Sequence, residues 1–168
     1  MGAGSKPVTI AVVGPPGAGK TLIATSVAIY LHLASANAVY IDMSIDKTGA
    51  KLVSKYVPLA ADIHEARTTG ADYAVIDAAP YDVPKATYYI VVLEPPDLRE
   101  ARIPNEPNIK VVVNKATSRI MLWREKLAVP FDPTIHWAMQ DGYPPIVVRN
   151  VKSWRRLRDV TKEIGDAV

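Results

Sequence analysis

The octapeptide Gly14-Pro15-Pro16-Gly17-Ala18-Gly19-Lys20-Thr21 joins an apolar, β-rich run, Val8-Thr9-Ile10-Ala11-Val12-Val13, to residues 20–34, which contain neither glycine nor proline. A chain that must pass from strand to helix through so few residues has little choice of path. Glycines let the backbone turn sharply. The turn gathers N–H groups at the positive end of the following helix, where an anion is stabilised. The spacing matches G-x-x-x-x-G-K-[ST] without a substitution, a pattern whose chemistry is specific. Lys20 neutralises β- and γ-phosphate oxygens as a point charge, and the Thr21 hydroxyl ligates Mg²⁺. Gly14, Gly17, Ala18, Gly19, Lys20, Thr21 and the adjoining Leu22 are therefore the expected binding positions for nucleoside triphosphate phosphates. An accidental glycine-rich turn is the bland alternative. The strand pattern before it and the helix pattern after it argue against that alternative.

Beyond this loop the chain repeats one theme, a short apolar run stopped by a polar residue. Residues 38–41 end at Asp42, residues 73–76 at Asp77, residues 88–93 at Glu94-Pro95-Pro96, and residues 109–113 at Asn114-Lys115. These runs are continuously apolar rather than alternating, which suits parallel strands buried on both faces. Helical spacing of apolar residues predicts helices over residues 20–34 and 153–164, and shorter ones over 47–55 and 118–127. Trp154, Leu157, Val160 and Ile164 form one stripe, with Ser153 as a candidate cap. The alternation predicts an α/β fold: a doubly wound, mostly parallel sheet flanked by helices, as in P-loop NTPases, with ligands at the carboxyl ends of the strands. Asp77, at such an end, is the acid expected to orient Mg²⁺, usually through water. An ordinary strand-ending turn aspartate is its alternative reading.

A length of 168 residues is one-domain size, so residues 1–168 are expected to form a single P-loop NTPase domain. An apolar content of 49% excludes general disorder. The absence of cysteine excludes disulfides, thiolate metal sites and cysteine nucleophiles. No stretch reaches the ~18–20 apolar residues of a membrane span, and Met1-Gly2-Ala3-Gly4-Ser5-Lys6-Pro7 has no signal-type apolar core. The expectation is a cytoplasmic protein without integral membrane association. A net charge of +3 is compatible with an anionic partner without requiring one. The densest basic run, Trp154-Arg155-Arg156-Leu157-Arg158 with Arg149 and Lys152 nearby, reads as a nucleic-acid contact, as an interfacial amphipathic helix or as a solvated helix face. Asp159, Glu163 and Asp166 interrupt the charge and favour the solvated face. His32, His64 and His136 lack metal-ligand spacing, and Trp123, Trp137 and Trp154 read as core or interface anchors.

Further stations follow the loop in a fixed order. They are Tyr40-Ile41-Asp42; Val75-Ile76-Asp77-Ala78-Ala79-Pro80; Val91-Val92-Leu93-Glu94-Pro95; Val111-Val112-Val113-Asn114-Lys115; and Val129-Pro130-Phe131-Asp132 with Ala138 and Gly142-Tyr143-Pro144-Pro145. Across almost the whole chain this order resembles the partition-type ATPases of the ParA/MinD family, in the SIMIBI class of P-loop proteins. The resemblance implies a magnesium-dependent ATPase that forms a nucleotide-dependent homodimer, face to face across two ATP molecules. It implies a switch that acts on DNA, membranes or protein cargo, as in plasmid partition. By the same resemblance Lys20, Asp42 and Asp77 carry catalysis, and Thr21, Asp42 and Asp77 the magnesium shell. Asn114, with Lys115, contacts the base, and the loop through Pro144 walls it.

Three positions depart from the family pattern. Pro15 stands where the family has a second lysine reaching across the dimer. Asp42-Met43-Ser44 replaces an Asp-x-Asp, with Asp46 a candidate substitute or a surface-turn residue. Residues 97–108 are short and proline-broken where the family has a helix. Slow, partner-stimulated hydrolysis is the resulting expectation. Asn114-Lys115-Ala116-Thr117 begins like the guanine-selecting N-K-x-D, but Thr117 lacks the carboxylate, so ATP is expected over GTP. Two other functions remain open. One is a metabolic P-loop kinase or synthetase with an acceptor pocket near residues 42–46. The other is a non-catalytic nucleotide-dependent binding module, suggested by Pro15 and Ser44.

Overall fold

Strands that are apolar along their whole length must be covered on both sides, and the structure is built around that demand. The computed structural model describes residues 5–34, 36–125 and 127–168. Residues 1–4 of the N-terminal reading, and Lys126 of the helix expected over 118–127, lie outside the described residues. β1 (Val8–Val13), β2 (Ala38–Asp42), β3 (Tyr73–Asp77), β4 (Tyr88–Leu93), β5 (Ile109–Ala116) and β6 (Ala128–Pro130) form one sheet in the order β2-β3-β1-β4-β5-β6. Every pairing is parallel. The doubly wound α/β expectation is met. From β1 the chain passes over β3 to β2, returns to β3, then crosses to β4 and winds outward. The direction of winding therefore reverses beside β1, and a crevice opens at the carboxyl ends there.

One face carries the main core. α1 (Lys20–Leu33) lies between α2 (Thr48–Val53) and α6 (Trp154–Ala167). Ile10, Val12, Tyr40, Val75, Ile90, Val92 and Val112 point into this layer from the strands. The predicted stripe of α6 is buried at Leu157, Val160 and Ile164. Each such side chain contributes about 1.5–3 kcal/mol relative to leaving it in water. Ser153 precedes α6 but does not cap it with its side chain; its Oγ donates instead to Asp132 Oδ2 at 2.7 Å.

The opposite face is covered in three separate patches. α3 (Ile63–Thr68) lies over Val39, Ile41, Ala74 and Ile76 through Ala66 and Ile63. Leu98 and α4 (Arg119–Arg124), through Met121 and Leu122, cover Val113, Ala116 and Ala128. Between them Ala11, Val13 and Ala78 are covered by Ala86, Tyr89 and Val91. The expected absence of a full helix between β4 and β5 is real: only a short 3-10 turn, Pro95–Arg99, forms there. Pro95 and Pro96 stand in its first turn, where no donor is needed, while Pro104 and Pro107 prevent a helix from running on to β5.

Boundaries differ from the sequence expectation in informative ways. The helix over 47–55 shortens to α2, that over 118–127 to α4, and that over 153–164 extends to Ala167. β5 continues past Asn114 to Ala116. α3, β6 and α5 (Pro133–Gln140) are additional elements. The basic run divides into different contacts. Arg156 turns inward and donates to the carbonyls of Ala128 (2.7 Å) and Glu125 (2.9 Å). Arg149 and Arg158 lie over the Trp154 ring, 5.7 and 5.2 Å from its centre. Arg156 thus ties α6 to β6 and to the end of α4, whereas Arg158 stacks within α6. Of the three tryptophans only Trp154 is packed against the core; Trp123 and Trp137 are 84% and 59% exposed. No helix among the described residues is long and apolar enough to cross a membrane.

Candidate nucleotide-binding site

The glycine loop leaves β1 at the sheet centre and enters α1 directly. Gly19 takes φ 102°, and a Cβ there would fall 2.1 Å from Asn114 Nδ2. Both the backbone conformation and the close approach of β5 exclude a side chain. Asn114 is 4% exposed and donates from Nδ2 to the carbonyl of Ala18 at 2.9 Å. Lys115 donates from Nζ to the carbonyl of Gly17 at 2.8 Å and pairs with Glu94 Oε1 at 2.5 Å. The two residues expected at the base thus hold the loop from its flank through their side-chain nitrogens.

Lys20 is buried and folds back over its own loop, donating to the carbonyls of Gly14 (2.9 Å) and Pro15 (3.0 Å). Burial pulls its pKa below the usual lysine value, against the opposing pull of Asp77. Asp77 is fully buried at the end of β3. Its Oδ2 accepts hydrogen bonds from Thr21 Oγ1 at 2.7 Å and Tyr40 Oη at 2.9 Å. Its Oδ1 is buried without a hydrogen-bond partner. Desolvation raises the Asp77 pKa to about 6, even though the Thr21 and Tyr40 hydroxyls pull the other way. A buried carboxylate oxygen with no donor is costly and fits a position that a cation would complete. Among the described residues there is no cluster of three or more acidic, histidine or cysteine side chains able to hold a metal. A cation here would therefore draw most of its ligands from water and phosphate, the habit of Mg²⁺.

Asp42 is engaged elsewhere. Its Oδ2 accepts from the Ala50 N–H at 2.7 Å and its Oδ1 from the Ser44 N–H at 2.9 Å and the Ser44 hydroxyl. It organises the turn into α2. Ser44, Ile45 and Asp46 line the neighbouring cavity, whereas Asp42 does not.

That cavity, of about 790 Å³, runs from Pro16, Gly17, Gly19, Lys20, Thr21 and Leu22 past Asp77 to Asn114 and Lys115. Its far wall comes from β6 and α5: Pro130, Phe131, Pro133, Ile135, His136 and Met139. This wall was not foreseen. Pro144 is not among the lining residues; it precedes a 3-10 turn, Pro145–Val147, that packs against α1 and α5. Asp132 lies in the wall but is committed. Its Oδ1 accepts from Thr134 N and Oγ1 (2.9 and 2.6 Å), and its Oδ2 from Ser153 N and Oγ (2.8 and 2.7 Å).

A parallel sheet with a glycine loop at the carboxyl end of its central strand, closed by a lysine, a threonine and a facing aspartate, defines the P-loop NTPase fold. Within that class the chain has the MinD and plasmid-partition ATPase form of the fold, in a divergent version. MinD of Aquifex aeolicus superposes with a TM-score of 0.68 at 15% identity, covering 94% of this chain and 96% of that one. MinD of Pyrococcus furiosus does so with 0.63 at 14% identity, covering 96% and 99%. A plasmid partition protein of Borrelia burgdorferi B31, solved bound to AMPPNP, does so with 0.62 at 12% identity, covering 97% and 100%. No protein-family model matches the chain, nor does any curated protein sequence.

Proposed function

We propose that the chain is a single-domain, cytoplasmic ATP-binding protein of ParA/MinD type, a nucleotide-dependent switch that hydrolyses ATP slowly. One observation carries the reading. Lys20, Thr21 and a buried aspartate with an unpartnered oxygen converge at the phosphate loop, on a cavity deep enough for a whole nucleotide. In this reading residues 14–21 hold the phosphates. Lys20 exchanges its loop carbonyls for phosphate oxygens, and Thr21 and Asp77 hold Mg²⁺. Bound Mg²⁺ would neutralise the triphosphate and favour charge build-up on its outer oxygens. Asp42 acts at one remove, by shaping the loop that carries Ser44 and Asp46. Likeness of fold to MinD and to a plasmid partition protein supports a dimer in the ATP state and a DNA or protein cargo. Light scattering after size exclusion, with ATP, ADP and no nucleotide, tests the switch: a dimer only with ATP is the expected result. The same molecular mass in all three conditions would count against it.

The base wall supports adenine. The N-K-x-D pattern selects guanine with a free carboxylate, and Thr117 has none while both Asp132 oxygens are already occupied. The apolar Pro130, Phe131 and Met139 suit a purine face without reading its edge. ATP is expected to displace a fluorescent ATP analogue at concentrations at least tenfold below those of GTP, a difference of about 1.4 kcal/mol. Equal displacement by the two would remove the adenine assignment.

A small-molecule kinase is the second reading, favoured by the position of Ser44 and Asp46 in the cavity wall beside Asp77. It predicts turnover that depends on an added acceptor and persists in a strict monomer.

A further inference from the structure

Tyr40 belongs to none of the expected site positions, yet three elements meet on it. Its side chain is fully buried. In the β2–β3 register Tyr40 stands opposite Val75 and Asp42 opposite Asp77. A tyrosine ring leaning along the strand therefore arrives diagonally at Asp77, two residues further on. The hydroxyl donates to Asp77 Oδ2 at 2.9 Å. From above, α2 closes on the ring so tightly that a Cβ on Gly49 would fall 1.9 Å from Tyr40 Oη. A leucine or phenylalanine would fill a buried strand position without needing a partner, whereas a buried phenol requires one. The local fold accommodates that hydroxyl at the cost of a glycine inside α2.

We propose that Tyr40 is a positioning residue, which fixes the rotation of the Asp77 carboxylate so that Oδ1 stays free of protein donors and available to a cation. The inference rests on reading that cavity as a magnesium–nucleotide site. Asp77 Oδ2 has two donors, Thr21 and Tyr40. A cation that takes the Thr21 oxygen as a ligand competes with the first bond. The Tyr40 bond comes from a different element, β2, and persists. Without it the carboxylate has no fixed partner in the loaded state, and its orientation toward the cation is averaged over rotations.

The test is equilibrium nucleotide binding by the full chain, wild type and Tyr40→Phe, in excess Mg²⁺ and in EDTA. The ring is retained, so packing under α2 is preserved, and a thermal melt checks the fold. Wild type is expected to bind ATP more tightly with Mg²⁺ than without. In the variant that advantage should shrink roughly tenfold, as expected for one hydrogen bond to a charged group, while affinity in EDTA stays the same. An unchanged Mg²⁺-to-EDTA ratio, with Mg²⁺ dependence intact in wild type, overturns the role of Tyr40 alone. An equal loss in both conditions also overturns it, since packing would then be the cause. A wild type that binds no nucleotide in either condition overturns the site reading and this inference together.

Discussion

Replacing Lys20 by alanine should weaken ATP binding at least a hundredfold. The ammonium can give three hydrogen bonds from one compact charge. In the structure two of them go to the carbonyls of Gly14 and Pro15. Lys20 itself lines the cavity, so phosphate oxygens of higher charge can replace those acceptors. Each charge-assisted bond contributes about 1.5–3 kcal/mol, and losing two removes on the order of 3–6 kcal/mol. The protein itself should lose little, because burial already works against the Lys20 charge and its removal relieves that cost. Titration of a fluorescent ATP analogue, with a melting curve to show that the variant is folded, measures the effect. Lys20→Arg should recover only part of the affinity, since a planar fork does not fit a space shaped for a point charge. Unchanged affinity in Lys20→Ala would mean that the loop does not bind phosphate.

The sheet was legible because its strands are continuously apolar and each ends on a polar residue or a glycine. What escaped are the elements with little apolar signal. α3 buries only Ala66, yet its start is written in local chemistry: Asp62 accepts from the Glu65 N–H at 2.8 Å, and Glu65 accepts from the Ala61 N–H at 2.5 Å. The Asp62 cap, with Glu65 three residues later reaching back to the residue before it, is readable as Asp-x-x-Glu without hydrophobic periodicity. α5 likewise begins with Asp132 as cap and Pro133 in the first turn, a favoured pair of positions. Its sequence invites comparison with a family's closing segment, and that comparison conceals the helix signal.

The site was legible in its residue types more than in its partners. Lys20, Thr21 and Asp77 meet because the loop and β3 end on the same side of the sheet, which alternation alone implies. Asn114 and Lys115 reach the loop from β5, but which atom each side chain contacts depends on how closely Gly19 lets β5 approach. The far wall of the cavity could not be read from order alone. Several loops return to the carboxyl ends, and only packing decides that residues 130–139, and not Pro144, line the cavity. Tyr40 was hidden for another reason: in a count of apolar runs a tyrosine is one more buried strand residue. Its reach to Asp77 follows from the β2–β3 register, which the sequence does not state.

Asp77→Asn is expected to stabilise the nucleotide-free protein at neutral pH while abolishing its dependence on Mg²⁺. Burial raises the Asp77 pKa from 3.8 to about 6. The folded chain therefore keeps this proton at pH values where the unfolded chain has lost it. Between about pH 4 and pH 6 the native state binds more protons than the unfolded state, so stability falls as pH rises through that window. Above it the ionised carboxylate costs the empty protein about 3 kcal/mol, the equivalent of a shift of about two units. An asparagine keeps an acceptor for Thr21 and Tyr40 and carries no charge. The D77N protein should melt up to about 10 °C higher than wild type near pH 7.5, at roughly 2–4 °C per kcal/mol for a chain of this size. The gain should shrink below pH 6 and vanish near pH 4, where the wild-type carboxyl is also neutral. With Mg²⁺ and ATP present the order should reverse, because only the ionised carboxylate is compensated by a cation. A variant less stable than wild type across the whole pH range would make Asp77 a structural hydrogen-bond acceptor. Retained Mg²⁺ dependence in D77N would remove it from the cation site. The expected combination, a more stable protein that no longer responds to Mg²⁺, is characteristic of a site that keeps a buried charge in place for its ligand.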